Sequence, residues 1–224
     1  MMRSDAGTMP LFDDEADPVP RHERLGEQAL VLRGHALALA PGLLQAVAAI
    51  ESAAPFRHML TPGGLRMSVA MTHCGMLGWT SDRSGYRYTR HDPETGQAWP
   101  AMPRLFLDLA HSAAAEAGFA GFTPDACLIN RYEPGTRLSL HQDKDELDFD
   151  APIVSVSLGV PAIFLFGGMA RADKVQRVPL QHGDVVVWGG VDRLRFHGVA
   201  PLKEAHHRLA GQRRINLTFR KASG

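Results

Sequence analysis

The sequence predicts a mainly β protein, an antiparallel sandwich or barrel, with an α+β N-terminal portion. Three observations carry that reading. From residue 127 onward, short apolar runs follow one another with Gly, Pro or Asp at the joints, as strands joined by tight turns do. No helical stretch separates these runs, which argues against a parallel sheet with crossover helices. Both stretches of helical period lie before residue 118, so the helices belong to the N-terminal half.

The elements follow in order. Residues 1–24 are rich in Asp, Glu and Pro without a sustained period and read as a flexible tail. Residues 25–224 form one domain. ALVLRGHALAL (29–39) predicts a strand, a turn at Gly34 and a second short strand. Pro41 opens a helix whose stripe is Leu43, Leu44, Val47, Ile50 and Ala54, and Pro55 ends it. Pro62-Gly63-Gly64 is a turn, and LRMSVAM (65–71) alternates as a strand. Residues 72–99 are the least regular and the most aromatic and basic. A second helix spans about 102–117, with Leu105, Leu109, Ser112, Ala113 and Glu116 on its face and Gly118 as its stop. Strands are then predicted at 127–132, 153–159, 162–168, 175–180, 184–190, 193–199 and 213–220, with a turn at Glu133-Pro134-Gly135.

Composition narrows the function classes. The chain of 224 residues is 45% apolar, enough for a substantial core. Lys+Arg and Asp+Glu each total 24, so the overall charge gives no support for a strongly basic nucleic-acid binder, while a local patch stays open. Cys74 and Cys127 make no disulfide framework and read as buried thiols in a reducing compartment. No run has the length of a membrane span, and the first residues lack a signal peptide's basic head and apolar stretch. A cytoplasmic monomer is the expectation.

The chemistry sits in His141-Gln142-Asp143, His197 and the run RRINLTFR. Two imidazoles and one carboxylate hold Fe(II) while leaving positions open for a cosubstrate and O2. On an extended segment His141 and Asp143 point to one side, and His197 arrives from another strand. A second H-x-D copy, His182-Gly183-Asp184, places Gly before VVVW and reads as a turn opening a strand. Either pair alone is more often structural than metal-binding. In RRINLTFR, period two puts Arg214, Asn216, Thr218 and Arg220 on one face and Ile215, Leu217 and Phe219 on the other. The polar face is either an exposed strand face or a buried one whose guanidinium groups grip a dicarboxylate such as 2-oxoglutarate. Asn130 and Tyr132 share a side of their strand and can join the same ligand.

These residues, with GMLGWTSDRSGYRY, WPAMP, PDACLINRYEPG, LSLHQDKDE, APIVSVSLG, AIFLFGG, HGDVVVWGG and RLRFHGV, run in order over about 70–220. In this the chain resembles the AlkB family of Fe(II)/2-oxoglutarate-dependent nucleic-acid demethylases. The resemblance implies a double-stranded β-helix (jelly roll) core over 101–224 with a helix, and an N-terminal extension and nucleotide-recognition lid over 25–100. It implies that His141, Asp143 and His197 ligate iron and act in catalysis. It implies that Asn130, Tyr132, Arg214, Asn216 and Arg220 hold 2-oxoglutarate, and that Trp79, Tyr86, Tyr88, Asp145 and Arg171 surround the flipped base or its strand.

The implied reaction removes N-alkyl groups from 1-methyladenine and 3-methylcytosine in single-stranded DNA or RNA. It consumes O2 and 2-oxoglutarate and releases succinate, CO2 and formaldehyde. Trp79 offers a π face to a cationic ring; without the resemblance it reads as a core or surface aromatic. Six arginines lie in 57–104 against Asp82, Asp92 and Glu94, which suits a single-strand phosphate track or a solvated charged loop. The alternatives are a 2-oxoglutarate dioxygenase acting on a protein or small metabolite, and a non-enzymatic metal-binding β-sandwich.

Overall fold

A computed structural model describes residues 22–224. The expected tail therefore lies outside the described residues up to residue 21. Its last three residues instead form strand β1 (His22–Arg24), which pairs with β2 (Ala29–Leu32). The second strand expected before residue 39 is absent: Leu37–Leu39 is a 3-10 turn leading into α1 (Ala40–Ala53). Leu43, Val47 and Ile50 are buried along α1, as the apolar stripe requires. The strand expected at 65–71 begins later, as β3 (Ala70–Gly75). The irregular region contains a hairpin, β4 (Gly78–Asp82) and β5 (Gly85–Thr89). Its two-residue loop is held by the Asp82 carboxylate, which accepts from Ser84 N at 2.7 Å. Aromatic residues alternate with polar ones there, so no apolar-polar period is visible.

Helix α2 (Arg104–Glu116) buries Phe106, Leu109, Ala110, Ala113 and Ala114. The expected face was thus rotated: Ser112 and Glu116 point to solvent. Gly118, at φ 92°, stops the helix. The remaining strands are β6 (Ala126–Tyr132), β7 (Leu138–His141), β8 (Ile153–Gly159), β9 (Ala162–Phe166), β10 (Gln176–Leu180), β11 (Val185–Trp188), β12 (His197–Val199) and β13 (Arg214–Arg220). Strand β7 was too short to stand out in the sequence. The strand expected at 193–199 is strand only in its last three residues. Arg193 and Arg195 precede it in a turn, with Arg195 tied to Asp192 and to the Gly167 carbonyl.

The strands form a seven-stranded sheet, β1-β2-β11-β8-β13-β6-β3, and a four-stranded sheet, β10-β9-β12-β7, all antiparallel. Pro179 lies on the edge strand β10, where a missing N–H is tolerated. The two sheets face each other as a jelly roll, the double-stranded β-helix. Both helices cover the outer face of the larger sheet, where Leu43, Phe106 and Leu109 join Val156, Leu217 and Phe219 in one core. The space between the sheets has an apolar end around Phe164, Phe166, Val186 and Trp188. Its remainder takes the polar residues of β6, β8 and β13.

Phe219 is fully buried and meets Phe106 edge-on at 5.8 Å between centroids. Phe219→Ala is expected to lower unfolding stability by about 3–5 kcal/mol. Urea titration reads this as an earlier midpoint at unchanged slope; a loss below about 1 kcal/mol would be inconsistent with a core position.

Candidate metal centre and cosubstrate site

The metal candidates meet because of strand register. His141 ends β7 and His197 begins β12, and the two are direct cross-strand partners with ring centroids 4.4 Å apart. Asp143 follows two residues later. Its Oδ1 lies 3.6 Å from His141 Nε2 and its Oδ2 lies 3.7 Å from His197 Nε2. Among the described residues this is the one cluster whose ligand atoms could converge on a metal, all lying within 4.8 Å of one another. Two bonds of about 2.1 Å to a shared ion require donor separations of about 3–4 Å, which both carboxylate–imidazole distances meet. His141 Nδ1 sits 2.9 Å from the Ser139 carbonyl and His197 Nδ1 sits 3.0 Å from the Arg195 carbonyl. A carbonyl only accepts, so each Nδ1 carries the proton and each Nε2 lone pair is left for a metal.

Electrostatics keep the His197 ring uncharged. Burial, then the neighbouring His141, push the His197 pKa down to about 3, so the ring is neutral and able to offer Nε2 to a metal. Burial works to raise the Asp143 pKa, but Arg220 and then the two imidazoles hold it well below the usual carboxylate range. Arg220 donates to Asp143 Oδ2 from Nε at 2.8 Å and approaches it with Nη2 at 2.7 Å. The second H-x-D copy is structural, as its Gly suggested. Asp184 accepts from Gly34 N and Gln181 N and pairs with Arg33, while His182 Nδ1 accepts from Gly159 N.

The polar face of β13 points between the sheets. Arg214 is 1% exposed, yet it donates only from Nη2, to Ser157 Oγ at 2.8 Å. Its Nε and Nη1 find no partner among the described residues, and neither does the buried hydroxyl of Tyr132, its cross-strand neighbour. The guanidinium carbon lies 4.9 Å from the Tyr132 ring centroid. Burial draws the Arg214 pKa down and the Tyr132 pKa up. A buried guanidinium with idle donors is costly unless an anion joins it, so this corner fits a carboxylate. Asn216 donates to Ser155 Oγ and the Val156 carbonyl and accepts from Asn130 and Thr218. Of the expected cosubstrate set, Arg214 and Tyr132 are the groups with idle donors. Arg220 is already engaged with the Asp143 carboxylate, and Asn130 and Asn216 brace one another.

Of the other predicted residues, Trp79, Tyr86, Tyr88 and Asp145 gather at the hairpin, and Arg171 does not join them. Trp79 and Tyr86 stack, with centroids 5.4 Å apart and planes 15° off parallel. Trp79 Nε1 donates to Asp145 at 2.8 Å. Tyr88 turns inward and donates to Glu146 at 2.6 Å, and burial raises its pKa. Arg171 caps the Leu140 carbonyl at 2.7 Å and lies over Phe196. The expected arginine track is partly neutralised: Arg57 pairs with Asp92, Arg87 with Asp82 and Arg104 with Asp108. Arg66, Arg83 and Arg90 are exposed and make no ion pair among the described residues. Sequence reasoning missed Glu146 and Arg193. Both are buried and brace the Asp143 segment, but Glu146 was hidden in the charged run KDE and Arg193 in an apparent strand.

Comparison with known proteins places this geometry. The profile of the 2OG-Fe(II) oxygenase superfamily matches residues 35–220. The chain is 57% identical to the alpha-ketoglutarate-dependent dioxygenase AlkB of Salmonella typhimurium, over 95% of this chain and 99% of that one. It is 56% identical to AlkB of Escherichia coli, over 95% and 98%. The solved structure of OsALKBH1 superposes with a TM-score of 0.79 at 28% identity, covering 89% of this chain and 99% of that one. With a His-Asp-His cluster and a buried corner of idle cationic donors, the chain belongs to the 2OG-Fe(II) oxygenase superfamily and, within it, to the AlkB family of alpha-ketoglutarate-dependent dioxygenases, which work with Fe(II), 2-oxoglutarate and O2.

Proposed function

We propose that the protein oxidatively dealkylates 1-methyladenine and 3-methylcytosine in single-stranded DNA or RNA. The observation that carries this reading is the pairing of two features along β13: the His141-Asp143-His197 cluster, gripped by Arg220 at one end of the strand, and the buried Arg214 with idle donors at the other. His141, Asp143 and His197 would hold Fe(II). Arg214 and Tyr132 would bind the distal carboxylate of 2-oxoglutarate, with Asn130, Asn216 and Arg220 lining the site. The bound iron and cosubstrate supply oxidation of an N-alkyl carbon by O2, yielding succinate, CO2 and, from a methyl group, formaldehyde. The protein's own residues orient, exclude water and recognise.

The stacked pair Trp79–Tyr86 favours a nucleobase over a peptide or small metabolite. Asp145 supplies negative charge beside the indole, which suits the cationic ring of these lesions. Methylation on the pairing edge also lowers the cost of drawing the base from a stack. Tyr88 would brace the hairpin from beneath, while Arg66, Arg83, Arg90 and Arg171 would meet strand phosphates. The buried thiols Cys74 and Cys127 support a reducing, cytoplasmic compartment, with the protein acting as a monomer. No helix among the described residues is long and apolar enough to cross a membrane.

Purified protein with Fe(II), ascorbate, 2-oxoglutarate and a 3-methylcytosine oligonucleotide should release formaldehyde and restore cytosine, read by base mass. His141→Ala and Asp143→Ala should abolish both; turnover surviving in Asp143→Ala would overturn the ligand assignment. Arg214→Met should raise the KM for 2-oxoglutarate by about 10–100-fold, the loss of a charge-assisted hydrogen bond. The same change should leave the cosubstrate-free protein as stable as before or more so, because it removes a buried charge that lacks an anion. An unchanged KM would rule out the anion corner. Trp79→Ala should weaken oligonucleotide binding by about 1–3 kcal/mol and leave 2-oxoglutarate consumption partly uncoupled from repair. Unaltered oligonucleotide kinetics would end the stacking assignment.

A further inference from the structure

The segment after the metal cluster meets the hairpin twice. Asp145 accepts from Trp79 on β4, and Glu146 accepts from Tyr88 on β5. Trp79 and Tyr88 are cross-strand partners, so the two bonds grip both strands at one level. Glu146 is also bound from below. Its Oε2 meets Arg193 Nη2 at 3.1 Å, and Arg220 Nε lies 3.5 Å from its Oε1. Arg193 donates to the Asp143 carbonyl at 2.8 Å, and Arg220 grips the Asp143 carboxylate. Asp143, Glu146, Arg193 and Arg220 thus form one buried set in which each guanidinium touches both acidic residues.

Building on the metal and nucleic-acid reading above, we infer that Glu146 is a positioning residue that couples the β4–β5 hairpin, through Tyr88, to the metal-binding carboxylate Asp143. When Asp143 shares its charge with a cation, its hold on Arg220 weakens. Glu146 is then Arg220's remaining buried counter-charge, and the pair draws closer. A Glu146 fixed in this way presents a fixed acceptor to Tyr88. An isolated two-stranded hairpin is marginal in water; Ser81 and Thr89 tie this one to Leu60 and Trp99, and the bonds from Trp79 and Tyr88 add its docking on the side of Asp143. Coupling between sites is reciprocal. Metal occupancy therefore closes the hairpin, and a strand held under the hairpin tightens the metal.

Limited trypsin digestion of the whole chain, at the exposed Arg83 and Arg90 of the hairpin region, tests this with Mn(II) as a redox-silent probe. Mn(II) should slow cleavage of the native protein by about five-fold or more, the usual lower range for coupled sites. In Tyr88→Phe, which keeps the ring and removes the hydroxyl, the ratio of rates without and with Mn(II) should approach one. Glu146→Gln should behave likewise, and if that variant fails to fold, Tyr88→Phe decides. A merely structural Tyr88 contact would speed cleavage equally with and without metal and preserve the native ratio, which overturns the inference; so does a native ratio of one. A second arm measures binding of a fluorescent 3-methylcytosine oligonucleotide by anisotropy. Mn(II) should tighten binding to the native protein and not to Tyr88→Phe. Protection by metal without any oligonucleotide binding would uphold the coupling and reject the nucleic-acid reading.

Discussion

Strand β13 must satisfy two environments at once, and the site depends on how it does so. Its odd-numbered residues enter the core beneath the helices, while its even-numbered residues enter the space between the sheets. A one-residue slip would drive Arg214 and Arg220 under the helices and bring Ile215, Leu217 and Phe219 into the polar cavity. The apolar half therefore specifies the register, and the register places the guanidinium groups. The neighbouring strands read the same alignment. Asn216 faces Asn130 on one side and Ser157 on the other, and Arg214 faces Tyr132.

That arrangement stores an imbalance. Buried charges are tolerated when each has partners, and Asp143, Glu146, Arg193 and Arg220 meet that condition among themselves. Arg214 does not, since its single bond is to a neutral hydroxyl. A protein selected only for stability has every reason to place an apolar side chain there. Retaining a buried cation with idle donors is what a preorganised anion site requires: its donors are already stripped of water before the carboxylate arrives. The helix-backed core offsets the cost, so the stable face of the sheet supports the costly one.

The period of two in RRINLTFR makes the polar and apolar faces of β13 legible in the sequence, because alternation is a property of the chain alone. The pairing of His141 with His197 was visible only as residue type and order. Their adjacency depends on β7 and β12, strands of four and three residues, and so short a strand leaves little periodic trace. Helix α2 was found but rotated, because its buried face is built largely from alanine, whose pattern gives a weaker directional signal than leucine. The hairpin escaped for a related reason: one of its faces is Trp79, Ser81, Tyr86 and Tyr88, aromatic and polar together. Glu146 and Arg193 could not be found from sequence, since a buried ion pair looks the same as a solvated one until its partners are known.

The geometry around Trp79 bears on how the protein would tell a damaged base from an intact one. The indole is held by Asp145 at its nitrogen and by Tyr86 against its ring, so little freedom remains to be lost when a base stacks on it. Asp145 is exposed, and a carboxylate about 4 Å from a cation in water contributes only about 1 kcal/mol. That favours a cationic base over a neutral one by about five-fold, too little to single out rare lesions from many normal bases. The larger share must come from the base itself, which no longer pairs and so leaves the stack at lower cost. On the proposed reading, the charge beside Trp79 would refine a choice that lost base pairing has already made, and a shallow, solvent-facing carboxylate would be sufficient for that task.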